Sequence, residues 1–209
     1  HMAARHRRIG ILTEQNEYPI MMERSILREN DRLGKPIVIA SEEFVPGESD
    51  FRSLLLRLAK SNVEGLFVNA NTDESFISLV KQIRGSTFKG TLYAAYLPAS
   101  ATARKSLGPE LNGFVFVNLP QADELVTESG REMLREFRAR FGEPQSGFPV
   151  VPISFEAFRI LDIAVASSRN PVEFISSSTF SGGFLPAYSF DEHGAVRGIN
   201  FQMQKIENE

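Results

Sequence analysis

The sequence predicts an α/β fold in which a mostly parallel five-stranded sheet lies between two layers of helices. Short apolar runs alternate with helical patterns along the first 120 residues, an order that is typical of a parallel sheet. The chain has 209 residues, 42% of them hydrophobic and 23% charged, so it is long enough to bury a globular core. After Pro120 the pattern changes, and helices predominate.

Five apolar runs are the predicted strands. They lie at Arg8–Leu12, Ile37–Ala40, Leu66–Val68, Thr91–Tyr96 and Phe114–Val117. The intervening segments have helical spacing and typical first residues. Their predicted starts are Pro19, Ser49 or Asp50, Thr72 or Asp73, and Ala99.

The C-terminal part is predicted to contain three helices and a β-hairpin. The helices are expected at Asp123–Phe141, Ile153–Ser167 and Pro171–Ser178. The second of them is apolar on most sides. Tyr188–Gly194 and Ile199–Lys205 are predicted to be the two arms of the hairpin, because apolar and polar residues alternate in them around a turn.

The strand-to-helix loops are the candidate binding site. Right-handed crossovers place all of them at one edge of a parallel sheet, where ligands of open α/β proteins bind. The loops predicted at this rim are 13–18, 69–73, 96–100 and 118–121. From them we predict five ligand-binding residues, Tyr18, Asn69, Asn71, Thr72 and Tyr96. For the two tyrosines, a purely structural role is equally compatible with the sequence.

Composition and motifs exclude several functions. A net charge of −3 and a pI near 5.8 argue against a nucleic-acid partner. The chain has no cysteine, and no hydrolase, nucleotide-binding or metalloprotease motif occurs. The acidic pairs Glu42-Glu43, Asp73-Glu74 and Asp191-Glu192 are interpreted as solvated surface. We therefore predict no enzyme activity, no catalytic residue, no cofactor and no metal.

The N-terminus and the hydropathy bear on localisation. His1-Met2 is interpreted as a cloning remnant, and residues 1–7 are expected to be a disordered start. No apolar run approaches the roughly 20 residues that span a bilayer, and no signal peptide is visible.

The order of short segments resembles the second half of the type I periplasmic binding proteins of the leucine/isoleucine/valine class, which serve ABC transporters of branched-chain amino acids. The matching segments include Arg8-Ile-Gly-Ile-Leu12, Phe44-Val-Pro-Gly-Glu-Ser-Asp-Phe51, Glu64-Gly-Leu-Phe-Val68, Leu111-Asn-Gly-Phe-Val-Phe-Val117, Phe137-Arg-Ala-Arg-Phe-Gly142, Ser154-Phe-Glu-Ala-Phe158 and Phe190-Asp-Glu-His-Gly194.

This resemblance implies a two-lobed receptor that closes on a small ligand and passes it to a membrane permease. Residues 8–120 would be the second lobe, a three-layer Rossmann-like domain, and residues 121–209 would partly belong to a first lobe that is missing. Tyr18, Asn71 and Thr72 match loops that contact ligand in relatives. Tyr96 falls near the position where amino-acid binders have an acid that pairs with the ligand's ammonium. This chain has no acid at that position, which leaves the identity of the ligand open.

The sequence thus predicts a fragment of a periplasmic or extracytoplasmic solute-binding protein that captures a small polar molecule, such as an amino acid or a carboxylate. The alternative is the ligand-sensing domain of a larger receptor or regulator. The helix at Ile153–Ser167 needs apolar cover, and we therefore expect the fragment to self-associate as a homodimer.

Overall fold

The computed structural model describes residues 1–144 and 148–207. The chain forms two compact units, one of His1–Val117 with the segment from Met203 onward, and one of Asn118–Gln202. The strands are β1 Ile9–Glu14, β2 Val38–Phe44, β3 Gly65–Asn69, β4 Thr91–Ala94, β5 Val115–Asn118, β6 Thr179–Phe180, β7 Tyr188–Phe190, β8 Val196–Arg197 and β9 Gln202–Lys205. The helices are α1 Glu17–Arg32, α2 Arg52–Lys60, α3 Asp73–Gly85, α4 Ala101–Leu107, α5 Ala122–Leu125, α6 Glu128–Phe141, α7 Val150–Ser167 and α8 Pro171–Ser177.

The first unit is built on a six-stranded sheet with the order β2-β1-β3-β4-β5-β9. The pairs β1–β2, β1–β3, β3–β4 and β4–β5 are all parallel. The predicted α/β class and the mostly parallel sheet are therefore confirmed. The predicted number of five strands was wrong by one, because β9 adds a sixth strand at the edge beside β5.

The extra strand comes from the segment that was predicted to be the second arm of the hairpin. Ile206, which is buried, donates its amide to the Phe114 carbonyl at 3.0 Å and accepts from the Gly113 amide at 2.8 Å. These contacts hold residues 202–205 at the edge of the main sheet. A hairpin is present, but its second strand is the shorter β8, which pairs with β7.

Two apolar clusters cover the two faces of the first unit's sheet. On one face, Leu12, Leu66 and Val68 pack in a cluster with apolar residues of α2, α3 and α4. On the other, Ile11 and Phe67 belong to a cluster to which α1 contributes. Alternate residues of the same strands thus face opposite helix layers, as expected for strands that are covered on both sides.

Residues 1–7 lie along the first unit, although a disordered start was predicted. Met2–Ala4 form a 3-10 turn, and the His6 Nε2 atom is 2.7 Å from the hydroxyl of the buried Tyr93. The Arg7 amide donates to Glu64 Oε2 at 2.8 Å. These contacts account for the position of the segment.

The second unit contains α5 to α8 and a small antiparallel sheet of β6, β7 and β8. The single helix predicted at Asp123–Phe141 is divided into α5 and α6. Val126 and Thr127 between them have extended backbone, and the Thr127 hydroxyl caps α6 by accepting from the Gly130 amide. Within the predicted C-terminal region, residues 145–147, 208 and 209 lie outside the described part of the chain.

Candidate functional site

The candidate site lies on the first unit, at the carboxyl ends of β1, β3 and β4. In the strand order of this sheet, chain connections diverge between β1 and β3, because β2 lies on one side and β4 on the other. Open α/β proteins bind ligands in the crevice outside such a switch point. Tyr18 lies in the first turn of α1 after β1, Asn71 and Thr72 follow β3, and Tyr96 follows β4, so the topology places these predicted residues at the same edge of the sheet.

Glu14, the last residue of β1, organises the loop after β3. Its side chain is only 1% exposed. Oε2 accepts from the Asn71 amide at 2.6 Å, and Oε1 accepts from the Ser75 hydroxyl at 3.0 Å. A buried carboxylate beside the first turn of α3 is also favoured by the helix dipole. Glu14 is not among the residues predicted from the sequence, although an acid that ends an otherwise apolar strand is a usable signal.

Asn69 is placed inside the unit rather than on its surface. It is 3% exposed, and its Nδ2 atom donates to the Pro19 carbonyl at 2.8 Å and to Thr13 Oγ1 at 3.2 Å. The register that sets Thr13 opposite Asn69 in adjacent strands brings these groups together. Asn69 therefore ties β3 to β1 and to the first turn of α1, and its predicted contact with ligand stays a prediction.

Asn71 and Thr72 are more accessible. The Asn71 backbone is held by Glu14, while its side chain is half-buried and makes no hydrogen bond to any residue that the structure describes. Thr72 is exposed and is the N-cap of α3, since its hydroxyl accepts from the Ser75 amide at 3.2 Å. For both residues, contact with a ligand stays a prediction.

Tyr18 and Tyr96 come together as an aromatic pair. Their ring centroids are 6.3 Å apart with an interplanar angle of 56°, within the range of favourable aromatic contacts. Tyr18 is 51% exposed and Tyr96 is half-buried. Partial burial raises the pKa of Tyr18 and that of Tyr96, and the proximity of Tyr18 and Asp73 raises the pKa of Tyr96 further. Both phenols are therefore neutral at pH 7.

Asp73 was interpreted from the sequence as a solvated surface residue, but the structure shows it in a different environment. It is half-buried in the first turn of α3, and its Oδ1 atom accepts from the Ser100 hydroxyl at 2.5 Å. Ser100 is in turn the N-cap of α4. The contact connects the loop after β3 with the loop after β4. Nothing in the local sequence links the two residues, because they are distant in the chain.

Asn118 ends β5, and its Oδ1 atom accepts from the Leu119 amide at 2.9 Å. This residue and those that follow it belong to the second unit. The predicted contribution of residues 118–121 to the rim stays a prediction.

A separate groove of about 800 Å³ lies between α2 and α3. Its lining includes Leu55, Leu56 and Phe88 but none of the five predicted ligand-binding residues. Across residues 1–144 and 148–207, no three His, Asp or Glu side chains are grouped as a metal site would require. The helices in these same ranges are too short or too polar to cross a membrane.

Comparison with known proteins shows which family has this architecture. Residues 1–161 match a family model described as periplasmic binding protein. A Leu/Ile/Val/Thr-binding protein of Salmonella typhimurium is 21% identical over 197 residues, which are 93% of this chain and 52% of that protein. The chain therefore spans about half the length of this curated relative.

Solved structures with the same fold include three solute receptors. An extracellular ligand-binding receptor from Rhodopseudomonas palustris HaA2 has a TM-score of 0.78 and 16% identity, over 100% of this chain and 64% of its own. A leucine-binding protein, LivK, from Thermotoga maritima has a TM-score of 0.76 and 15% identity, over 99% of this chain and 60% of its own. A solute-binding protein from R. palustris in complex with benzoate has a TM-score of 0.77 and 14% identity, over 99% of this chain and 57% of its own.

These matches confirm the resemblance to binding proteins of the branched-chain amino acid class. The family model covers most of the chain, and the solved structures share its fold. The chain belongs to the periplasmic binding protein family.

Proposed function

We propose that this chain is part of an extracytoplasmic solute-binding protein that serves an ABC transporter. In this proposal the chain supplies one wall of the ligand site and catalyses no reaction. The observation that carries the proposal is the placement of Tyr18, Asn71 and Tyr96 at the carboxyl ends of β1, β3 and β4, with Tyr18 and Tyr96 in aromatic contact. Side chains of these types capture small polar molecules by hydrogen bonds and aromatic contacts. An amino acid or a carboxylate is the expected class of solute, and a membrane permease is the expected recipient.

The division of the chain into two units supports a second element of the proposal. The first unit would be the second lobe of a two-lobed receptor, and much of the second unit would complete the other lobe. The relatives are longer than this chain, so the opposite wall of the site would be supplied by sequence outside it. A single wall leaves much of the ligand in water, and we expect the chain alone to bind weakly.

The test uses the two-lobed protein that contains this chain. The solute that co-purifies with it is identified by mass spectrometry, and its affinity is then measured by isothermal titration. Asn71→Ala and Tyr96→Ala are expected to weaken binding about tenfold or more, as for the loss of one or two good polar or aromatic contacts. Glu132→Ala, on an exposed position of α6, is the control. Unaltered affinity in both site variants would exclude the proposed wall.

A further inference from the structure

The wall formed by the first unit has acidic groups and aromatic rings but no basic group. Its three loops are residues 14–19, 69–75 and 96–100, which contain no lysine, arginine or histidine. The same loops contain Glu14, Glu17, Asp73 and Glu74. An anionic group that approaches this wall meets like charge, whereas a cation is attracted. The wall is therefore suited to a neutral or positive part of a ligand.

Glu14 and Asp73, the two acids of this set that are not exposed, already accept hydrogen bonds from other groups of the protein. Both oxygens of Glu14 accept hydrogen bonds, from the Asn71 amide and the Ser75 hydroxyl. Asp73 Oδ1 accepts from Ser100. A primary ammonium has three N–H donors and gains most from carboxylate oxygens that have no other donor. Glu14, with both oxygens engaged, is thus better suited to provide negative potential than to receive N–H groups, and Asp73 has one of its oxygens engaged in the same way.

The aromatic pair offers a way to bind a cation that needs no N–H group. A cation within about 6 Å of a tyrosine ring centroid is attracted to the ring face. Tyr18 presents an accessible ring, and Tyr96 lies beside it at 6.3 Å between centroids. Asp73 is near enough to act electrostatically on the Tyr96 phenol. Ring faces and negative potential therefore coincide at one place on the wall.

We propose that Tyr18 and Tyr96, with Asp73 near them, bind a fully substituted ammonium group of the solute. This inference rests on the proposed solute-binding function and names the part of the ligand that the first unit holds. If the solute is a zwitterion, its anionic end would point away from this wall.

The experiment follows the tyrosines directly. The chain has four tyrosines and no tryptophan, so fluorotyrosine labelling yields four ¹⁹F NMR signals. Tyr93 and Tyr188 are buried elsewhere and serve as internal references. The 209-residue chain is titrated with choline, with ethanolamine as the primary ammonium, and with 3,3-dimethyl-1-butanol as the uncharged analogue of choline. Choline is expected to shift the Tyr18 and Tyr96 signals at concentrations about fivefold lower than the other two probes, the factor typical of one exposed cation–π contact.

Two variants test the assignment of the residues. Tyr18→Leu should abolish the response of Tyr96 to choline, and Asp73→Asn should reduce the preference for choline over its uncharged analogue. Asp31→Asn, at an exposed position in the last turn of α1, removes the same charge away from the wall and should change neither. Unchanged discrimination in Asp73→Asn would remove Asp73 from the proposal.

The remaining outcomes separate this inference from the proposed function. Equal binding of choline and its uncharged analogue would overturn recognition of a cation, and equal binding of ethanolamine would overturn the class of fully substituted ammonium. A chain that responds to none of the probes would overturn the inference as well. In each case the solute-binding function stands if Asn71→Ala and Tyr96→Ala still weaken binding of the co-purified solute in the two-lobed protein.

Discussion

At the scale of single residues, two asparagines that are two positions apart have different environments. Asn69 is the last residue of β3, and its amide group is buried between Thr13 and the Pro19 carbonyl. Asn71 lies in the following loop, and only its backbone is held, by Glu14. The side chain of Asn69 thus supports the shape of the rim, whereas that of Asn71 is half-buried and its contact with a ligand stays a prediction.

We expect Asn69→Ala to lower the free energy of unfolding by about 1–3 kcal/mol, because it leaves the buried Pro19 carbonyl without this donor. Asn71→Ala should change the same quantity by less than about 0.5 kcal/mol, as is usual for a side chain that, like this one, forms no hydrogen bond with the described part of the chain. Urea denaturation of the 209-residue chain measures both. Similar destabilisation by the two substitutions would contradict the assignment of different roles.

The same pair shows the limit of prediction from sequence at this scale. Strand alternation and loop composition located Asn69, Asn71 and Thr72 at the end of β3. Which of them turns inward depends on the register of β3 against β1, and that register joins residues distant in sequence. Glu14 and Asp73 were not recognised for the same reason, since their partners Ser75 and Ser100 are distant from them in the sequence.

At the scale of elements, the segment at Gly183 and Phe184 is clamped between two helices of the second unit. From α6 and its cap, the Thr127 amide donates to the Phe184 carbonyl at 3.0 Å and the Thr127 hydroxyl donates to the Gly183 carbonyl at 2.6 Å. From α7, the buried Glu156 accepts from the Phe184 amide at 2.8 Å. The position of this segment therefore depends on hydrogen bonds from both helices.

Glu156 also forms an ion pair with Arg159 and accepts from the Tyr188 hydroxyl at 3.0 Å. Burial alone would raise the pKa of Glu156, but the hydrogen bonds from Arg159, the Phe184 amide and Tyr188 outweigh it and lower that pKa. A carboxyl whose pKa is lowered by folding stabilises the folded state above its ordinary pKa and loses that contribution as the pH falls through its folded pKa. The clamp is therefore complete at neutral pH.

Gly130, in the first turn of α6, approaches this segment closely. A Cβ atom added there would lie 2.4 Å from the Phe184 carbonyl oxygen, which is backbone and cannot move aside easily. We expect Gly130→Ala to destabilise the chain by roughly 1–3 kcal/mol, as overpacking does. Gly85→Ala, at the end of α3, meets nothing within 4 Å and should stabilise by up to about 1 kcal/mol through helix propensity. Thermal unfolding of the two variants measures both changes in stability. A Gly130→Ala variant that is more stable than the wild-type chain would disprove the close contact.

At the scale of the whole molecule, α7 has two unlike faces. Pro152, Glu156, Ile160 and Ala164 are buried, as the helical period requires for one face. On the opposite side four large apolar side chains are exposed, Phe155 by 43%, Phe158 by 74%, Leu161 by 49% and Val165 by 68%. A contiguous apolar surface of this kind is typical of an interface. We propose that in the isolated chain it mediates a homodimer.

Phe158→Glu is therefore expected to convert the 209-residue chain from dimer to monomer, because it places a charge at the centre of the apolar face of α7. Leu56→Glu, at a position of α2 that is 65% exposed, is the matched control and should leave the association unchanged. Sedimentation equilibrium measures the molar mass of each variant. A wild-type chain that is monomeric at every concentration would refute the proposed dimer.

The sequence by itself determined the local features of this protein: the alternation of strands and helices, the loops at the carboxyl ends of the strands, and the residues Tyr18, Asn71, Thr72 and Tyr96 within those loops. These features depend on periodicity and capping over a few neighbouring residues. Only the tertiary structure decided that β9 joins the main sheet, that Asn69 is buried, and that Tyr18 meets Tyr96 beside Asp73. Each of these outcomes is a contact between distant parts of the chain, and its energy depends on which groups the fold brings together.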